Sequence, residues 1–274
     1  MNFLHDNPEA FIAREHRLVI VEIVSVRGST PRDEDAFMLV SPSEIHGTIG
    51  GGQLEFLAIE NARKLLADAG GERRLDVPLG PEISQCCGGR VELGFTVCDE
   101  AARAALLEKL AARERRRPQV WLFGAGHVGR ALADALVLLP LRVVVVETRQ
   151  GELDQMTSEV HGRLAALPEV LVDEMPAGSA AVIATHDHAL DFLIARQALL
   201  REDLAYVGMI GSKTKRASFA RWLEAEGGSR RDAEGLVLPI GGDTVRDKRP
   251  EIIAAMTAAQ ILAALSAYRQ KSSS

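Results

Sequence analysis

Two glycine-rich turns and a pair of adjacent cysteines hold the residues of this chain best suited to chemistry. Gln85-Cys86-Cys87-Gly88-Gly89 sets two thiols in a turn, and Gly47-Thr48-Ile49-Gly50-Gly51-Gly52-Gln53-Leu54-Glu55 leads into a helix-periodic run. Glycine lets backbone amides come close to a ligand, because no side chain stands in the way. Successive amides ahead of a helix suit an anion. Three glycines in a row exceed what one tight turn needs, so Gly50, Gly51 and Gly52 read as a ligand approach, with Gln53 on the same turn. Neighbouring cysteines cannot both reach one tetrahedral zinc without strain. A thiolate at Cys86 or Cys87, activated by amide dipoles, suits a soft metal or the carriage of sulfur. The plainer alternative is two small residues packed in a turn. Cys98, at a strand end, reads as structural.

The second half holds another glycine turn, Gly124-Ala125-Gly126-His127-Val128-Gly129, between a buried strand and a helix. Glu147 closes the next strand. In a dinucleotide-binding unit the first glycine makes the turn and the second admits a pyrophosphate. The third packs helix on strand, and the acid takes ribose hydroxyls. His186 and His188 flank Asp187 just past a later strand, at the sheet edge where ligands of open α/β sheets collect, and His127 projects toward the same edge. They read as ligand contacts or a two-histidine metal pair, against simple loop capping. Ser212 and Lys213, in Gly211-Ser212-Lys213-Thr214-Lys215, combine a hydroxyl and a cation at a helix start. That suits phosphate as well as it suits an ordinary cap. No Ser-His-Asp order, paired-carboxylate spacing or Walker sequence is visible.

These residues need elements to position them. Leu18–Val26, Phe37–Val40, Leu75–Val77 and Val91–Val97 read as strands. Helices are predicted over 8–15, from Leu54 to about Leu65, and over Ala101–Ala112. Arg113-Glu114-Arg115-Arg116-Arg117-Pro118 is a charge run closed by proline, read as a solvated helix end and linker. From Val120 onward strands and helices alternate, which predicts a parallel sheet covered on both faces. The fold class expected is α/β: an N-terminal α+β domain over 1–112, a linker at 113–117 and a Rossmann-like parallel-sheet domain over 118–270. A last helix is predicted from Pro250 to about Tyr268.

Bulk composition excludes several classes. The 274 residues are 47% hydrophobic, 4% aromatic and carry a formal charge of −6. An acidic chain poor in aromatics is no nucleic-acid binder. Three cysteines without framework spacing argue against a secreted disulfide scaffold and for a reducing cytoplasm. No uninterrupted apolar run of spanning length appears, so no membrane helix is expected. Apolar helices such as Ile252–Leu265 could pair two copies, so a homodimer is expected.

Taken together, Arg27-Gly28-Ser29-Thr30-Pro31-Arg32, Gly47–Gly52, Gln85–Gly89 and Phe123–Gly129 resemble the XdhC/CoxI family. So do Thr185–Asp191, Gly208-Met209-Ile210-Gly211-Ser212-Lys213 and Leu238-Pro239-Ile240-Gly241, in order from about residue 16 to 265. The stretch Gly241-Gly242-Asp243-Thr244 departs from the family pattern, which places an apolar residue after the first glycine. The resemblance implies an accessory protein, not an enzyme, for molybdenum hydroxylases such as xanthine dehydrogenase. Such a protein binds the molybdenum cofactor (molybdopterin) as cargo, protects it, supports its sulfuration by a cysteine desulfurase and delivers it to the apoenzyme. On that reading the glycine amides take the cofactor's phosphate, Glu55 or Gln85 reads the pterin edge, and Cys86 or Cys87 sits near molybdenum or relays sulfur. Two other readings stand beside it. One is an NAD(P)-dependent oxidoreductase using His127, His186 or His188 as acid or base. The other is a redox or metal sensor built on Cys86-Cys87.

Overall fold

The computed structural model describes residues 7–30, 32, 34, 36–80 and 88–272. Gln85, Cys86 and Cys87 lie outside the described residues, and so do the roles expected of them. The chain divides into two units, Met1–Arg115 and Arg116–Ser274.

The first unit runs α1 (Pro8–Arg14), β1 (Val19–Arg27), β2 (Phe37–Val40), β3 (Ile45–Gly47), α2 (Gly52–Leu66), β4 (Arg74–Pro78), β5 (Arg90–Val97) and α3 (Glu100–Arg115). Its strands form an antiparallel sheet in the order β3-β2-β1-β5-β4. Alternation along β1 divides the core, as the two-residue period of a strand requires. Val19, Val21 and Ile23 pack with Leu54, Ala58 and Ala62 of α2. Leu18 and Ile20 pack with Phe11 and Ile12 of α1 and Leu106 and Leu110 of α3. The expected linker at 113–117 is shorter than predicted, because α3 continues through Arg115. Arginine and glutamate are good helix formers, and cations suit a helix C-terminus. Arg115 also pairs with Glu108 at 2.7 Å, and the Arg113 guanidinium lies 5.3 Å from the centre of the Phe37 ring.

The second unit runs β6 (Gln119–Phe123), α4 (His127–Leu136), β7 (Arg142–Glu147), α5 (Gln150–Leu153), β8 (His161–Leu164), β9 (Ala180–Ile183), α6 (His188–Leu199), β10 (Tyr206–Met209), α7 (Lys213–Ala225) and α8 (Pro250–Ser272). Its sheet is parallel, in the order β10-β9-β6-β7-β8. Both faces are covered. Trp121, Phe123, Val144, Val146 and Ile183 pack with Ile194 of α6 and Phe219 of α7. Val120, Leu122, Val143, Val145 and Val182 pack with Leu132 and Leu136 of α4 and Ile261 and Leu265 of α8. The fold class is therefore the one expected, an antiparallel α+β unit followed by a Rossmann-like unit.

α8 is 23 residues long and, by length and composition alone, apolar enough to cross a membrane. Ala254, Thr257, Ala258, Ile261 and Leu265 form its buried stripe. Their spacing of three and four residues is that of a helix laid on a core.

Candidate functional site

The order of the parallel sheet places the first crevice. From β6 the chain winds through β7 to β8 on one side, then returns to build β9 and β10 on the other. The winding reverses between β6 and β9, and ligands of such sheets bind outside the carboxyl ends of the strands at that reversal. The turns there are Gly124–Gly126 and Ala184–Asp187. A Cβ on Gly124 would run into the Ala184 carbonyl oxygen, and one on Gly129 into the Gly124 carbonyl oxygen. Those two glycines let helix, strand and neighbouring turn close up. Around Gly126 a Cβ would meet no atom within 4 Å, and its φ of −68° is open to any residue. Gly126 is thus not demanded by the fold; its bareness leaves room in front of α4.

α4 also differs from α6 and α7 at its N-terminus. Asp187 caps α6 by accepting from the Ala189 amide at 2.7 Å, and Ser212 caps α7 by accepting from the Lys215 amide at 3.3 Å. α4 has no side-chain cap. Its first-turn amides face the space beside Gly126, which fits the phosphate of an anionic ligand.

Glu147 is engaged within the protein. It is 3% exposed. Its Oε2 accepts from the Ala125 amide at 2.9 Å, which ties the glycine turn to the end of β7. Its Oε1 accepts from the Thr148 amide at 2.8 Å, the Thr148 hydroxyl at 3.1 Å, and the Arg149 amide and Nε at 3.2 Å. Burial alone would raise its pKa. The Arg149 guanidinium and the Ala125 and Thr148 amides outweigh burial and hold it down to about 2. A ribose contact would require Thr148 or Arg149 to give way. Arg130 braces the same turn, donating to the Ala125 carbonyl and to Glu152, each at 2.8 Å.

His127, the first residue of α4, is exposed, as are His186 and His188 beside the α6 cap. Among the described residues no three His, Cys, Asp or Glu side chains group closely enough to hold a metal ion. The turns after β9 and β10 are joined by a pair the sequence did not suggest. Buried Asp191 accepts from the Thr185 amide at 3.0 Å and the Thr185 hydroxyl at 2.7 Å. It also pairs with Lys215, whose ammonium reaches the Ile210 carbonyl at 2.9 Å. No local signal links positions 24 residues apart. Ser212 and Lys213 line a cleft together with Pro239, Ile240, Gly242, Asp243 and residues 245–248.

In the first unit Gly50, Gly51 and Gly52 all have positive φ, at 129°, 82° and 66°. Backbone conformation therefore accounts for each glycine, without the surplus the sequence suggested. The turn's amides have an anion already. Glu55, in the first turn of α2, accepts through Oε1 from the Ile49 amide at 3.1 Å, the Gly51 amide at 2.9 Å and the Thr48 hydroxyl. Gln53 is exposed on the same turn of α2. Gly88 and Gly89 back onto the end of β1. Gly88 bridges to Ser29, and a Cβ on Gly89 would strike the Ser29 and Arg27 carbonyl oxygens.

A doubly wound parallel sheet with a glycine turn after its first strand defines the second unit as a Rossmann-type domain. The sequence matches the XdhC Rossmann domain over residues 120–261 and the XdhC and CoxI family over residues 11–77. The chain belongs to the XdhC family. YqeB, an uncharacterized protein of Escherichia coli K12, is 26% identical over 251 residues, covering 89% of this chain and 42% of YqeB. The chain thus spans less than half the length of that relative. A crystal structure described as a xanthine dehydrogenase from Bacillus halodurans aligns with a TM-score of 0.77 at 18% identity, covering 94% of each chain. That likeness is one of fold.

Proposed function

We propose that this protein is a maturation factor that binds the molybdenum cofactor as cargo and serves a molybdenum hydroxylase of the xanthine dehydrogenase type. The observation that carries this is family membership, matched over residues 11–77 of the first unit and 120–261 of the second; the Cys86-Cys87-Gly88-Gly89 sequence follows the first match. The cargo is an anionic pterin with a terminal phosphate and a soft metal. The uncapped start of α4 and the bare Gly126 supply amides and space for the phosphate. Cys86 or Cys87 supplies a thiolate that contacts molybdenum or relays sulfur received from a cysteine desulfurase. The protein then hands the sulfurated cofactor to the apoenzyme and is an accessory factor, not itself the hydroxylase. An NAD(P)-dependent oxidoreductase is the second reading, supported by the glycine turn after β6. The engagement of Glu147 by Ala125, Thr148 and Arg149 weakens it, because the ribose hydroxyls lose their usual acceptor.

The test is binding of cofactor released anaerobically from a donor enzyme, read by pterin fluorescence and metal analysis. Near-stoichiometric binding is expected. It should be lost in Cys86→Ala/Cys87→Ala, and in Gly126→Val, whose side chain fills the ligand's space while its backbone stays unstrained. Absence of binding by the folded protein overturns the proposal. Full binding by the double cysteine variant removes the thiol role.

A further inference from the structure

A second cleft lies between the end of β10 and the start of α8. Its lining includes neither Gly126 nor any residue of α4, and its volume is about 530 Å³. That is room for a ligand of mononucleotide size. Its floor is apolar, built by Ile210, Ile240 and Ile253, and Val245 is 44% exposed at its edge. Its rim is cationic, with Lys213, Arg246 and Lys248. The two acids at the rim are neutralised. Asp243 lies 3.2 Å from Lys213, and Asp247 takes Arg249 at 2.7 Å. Arg246 and Lys248 have no ion-pair partner among the described residues.

The walls are held from behind. Gln260 of α8 accepts from the Gly241 amide at 2.9 Å and from the Tyr206 hydroxyl at 3.1 Å. Arg216 of α7 donates to the Leu238 carbonyl at 2.8 Å and to the Leu236 carbonyl at 3.0 Å. Pro239, Ile240 and Gly241 are therefore fixed before any ligand arrives, which lowers the ordering cost of binding. An apolar floor beside two cations, Arg246 and Lys248, that have no ion-pair partner among the described residues matches a flat ring carrying a phosphate.

We propose that this cleft binds a phosphorylated flat heterocycle of mononucleotide size, with the ring on the isoleucine floor and the phosphate between Arg246 and Lys248. The site is independent of the cargo reading, which rests on the α4 crevice and the cysteine turn.

Calorimetric titration of the full chain with AMP, GMP, the corresponding nucleosides and inorganic phosphate tests it. A mononucleotide should bind saturably, and more tightly than its nucleoside or phosphate alone. Affinity should fall at least about tenfold in Arg246→Ala/Lys248→Ala, since each cation makes a charge-assisted contact. It should survive in Gly126→Val, which separates this cleft from the glycine crevice. Both cations are exposed, so the double variant should melt like the parent. Val245→Asp gives a second variant that sets a negative charge at the phosphate's edge, and it should weaken binding too. No saturable binding at millimolar mononucleotide overturns the proposal. So does affinity unchanged in both variants, or inorganic phosphate binding as tightly as the nucleotide.

Discussion

The glycine turn before α2 and the glycine turn before α4 look alike in sequence, yet they use glycine differently. Before α2, three consecutive glycines adopt positive φ, and two amides of that turn, those of Ile49 and Gly51, close on the protein's own Glu55. Before α4, Gly124 and Gly129 are fixed by contact with neighbouring backbone, and Gly126 is fixed by nothing in the fold. A carboxylate serves both turns, but not in the same way. Glu55 is half-buried and accepts from two amides of its turn. Glu147 is buried, bound to Arg149, and reaches a single amide of its turn, that of Ala125. The first arrangement fills an anion cradle. The second braces a turn and leaves the helix end in front of it open. A run of glycines thus marks where backbone must bend or approach, and only the placed amides show whether anything is left to bind a ligand.

The largest effects should come from the glycines before α4. Gly124→Ala and Gly129→Ala each drive a Cβ into a carbonyl oxygen, and Gly124 also holds φ at +115°. Each should destabilise the parallel-sheet unit by at least about 3 kcal/mol, a fall in Tm of several degrees. Gly126→Val should cost less than about 1 kcal/mol, because surface substitutions away from strain are mild. Equal melting losses at all three positions would mean that Gly126 is held by the fold, and the distinction would break.

The periodicity of β1, β6, β7 and β9 was legible because each strand carries apolar residues that the sheet buries on both faces. β3 and β8 were not. Ile45-His46-Gly47 and His161-Gly162-Arg163-Leu164 are short and polar, and they exist as edge strands through pairing with β2 and β7. The glycine turns were legible as turns, but their occupancy was not. Glu55 sits seven residues from Thr48, and Glu147 lies 22 residues from Ala125. Asp191 and Lys215 meet only because β9 and β10 are neighbours. The second cleft escaped for the same reason: Lys213 carries a signal at a helix start, but nothing in the sequence joins it to Arg246 and Lys248, more than 30 positions on.

Glu147 gives the next test. Its pKa is lowered from 4.5 to about 2, so its stabilising contribution is present in full above about pH 5. It is lost as pH falls through 4.5 toward 2, where the folded carboxylate also takes a proton. The contribution amounts to at most about 3 kcal/mol, with some reduction because Arg149 is partly exposed. Glu147→Gln should lower Tm at neutral pH and flatten the acid limb of the Tm-versus-pH curve between pH 5 and 2. A variant with the parent's acid limb would show that the brace under the α4 turn is not electrostatic.

The smallest effect is expected at Glu55, and it bears most directly on the contrast between the turns. Glu55→Ala removes an acceptor from the Ile49 and Gly51 amides, a loss comparable to that of a helix cap, about 1 kcal/mol. Water can partly replace it, since the carboxylate is half-buried and not sealed in. The vacated amides become a cradle for an external anion. Millimolar phosphate should therefore raise the Tm of Glu55→Ala more than that of the parent, and more than that of Glu55→Gln, whose amide oxygen still accepts. Equal phosphate stabilisation of all three proteins would place anion binding elsewhere. Equal stabilisation of the parent and Glu55→Ala, exceeding that of a Gly51→Ala control, would show that phosphate already displaces Glu55. The two glycine turns would then be alike in function as well as in sequence.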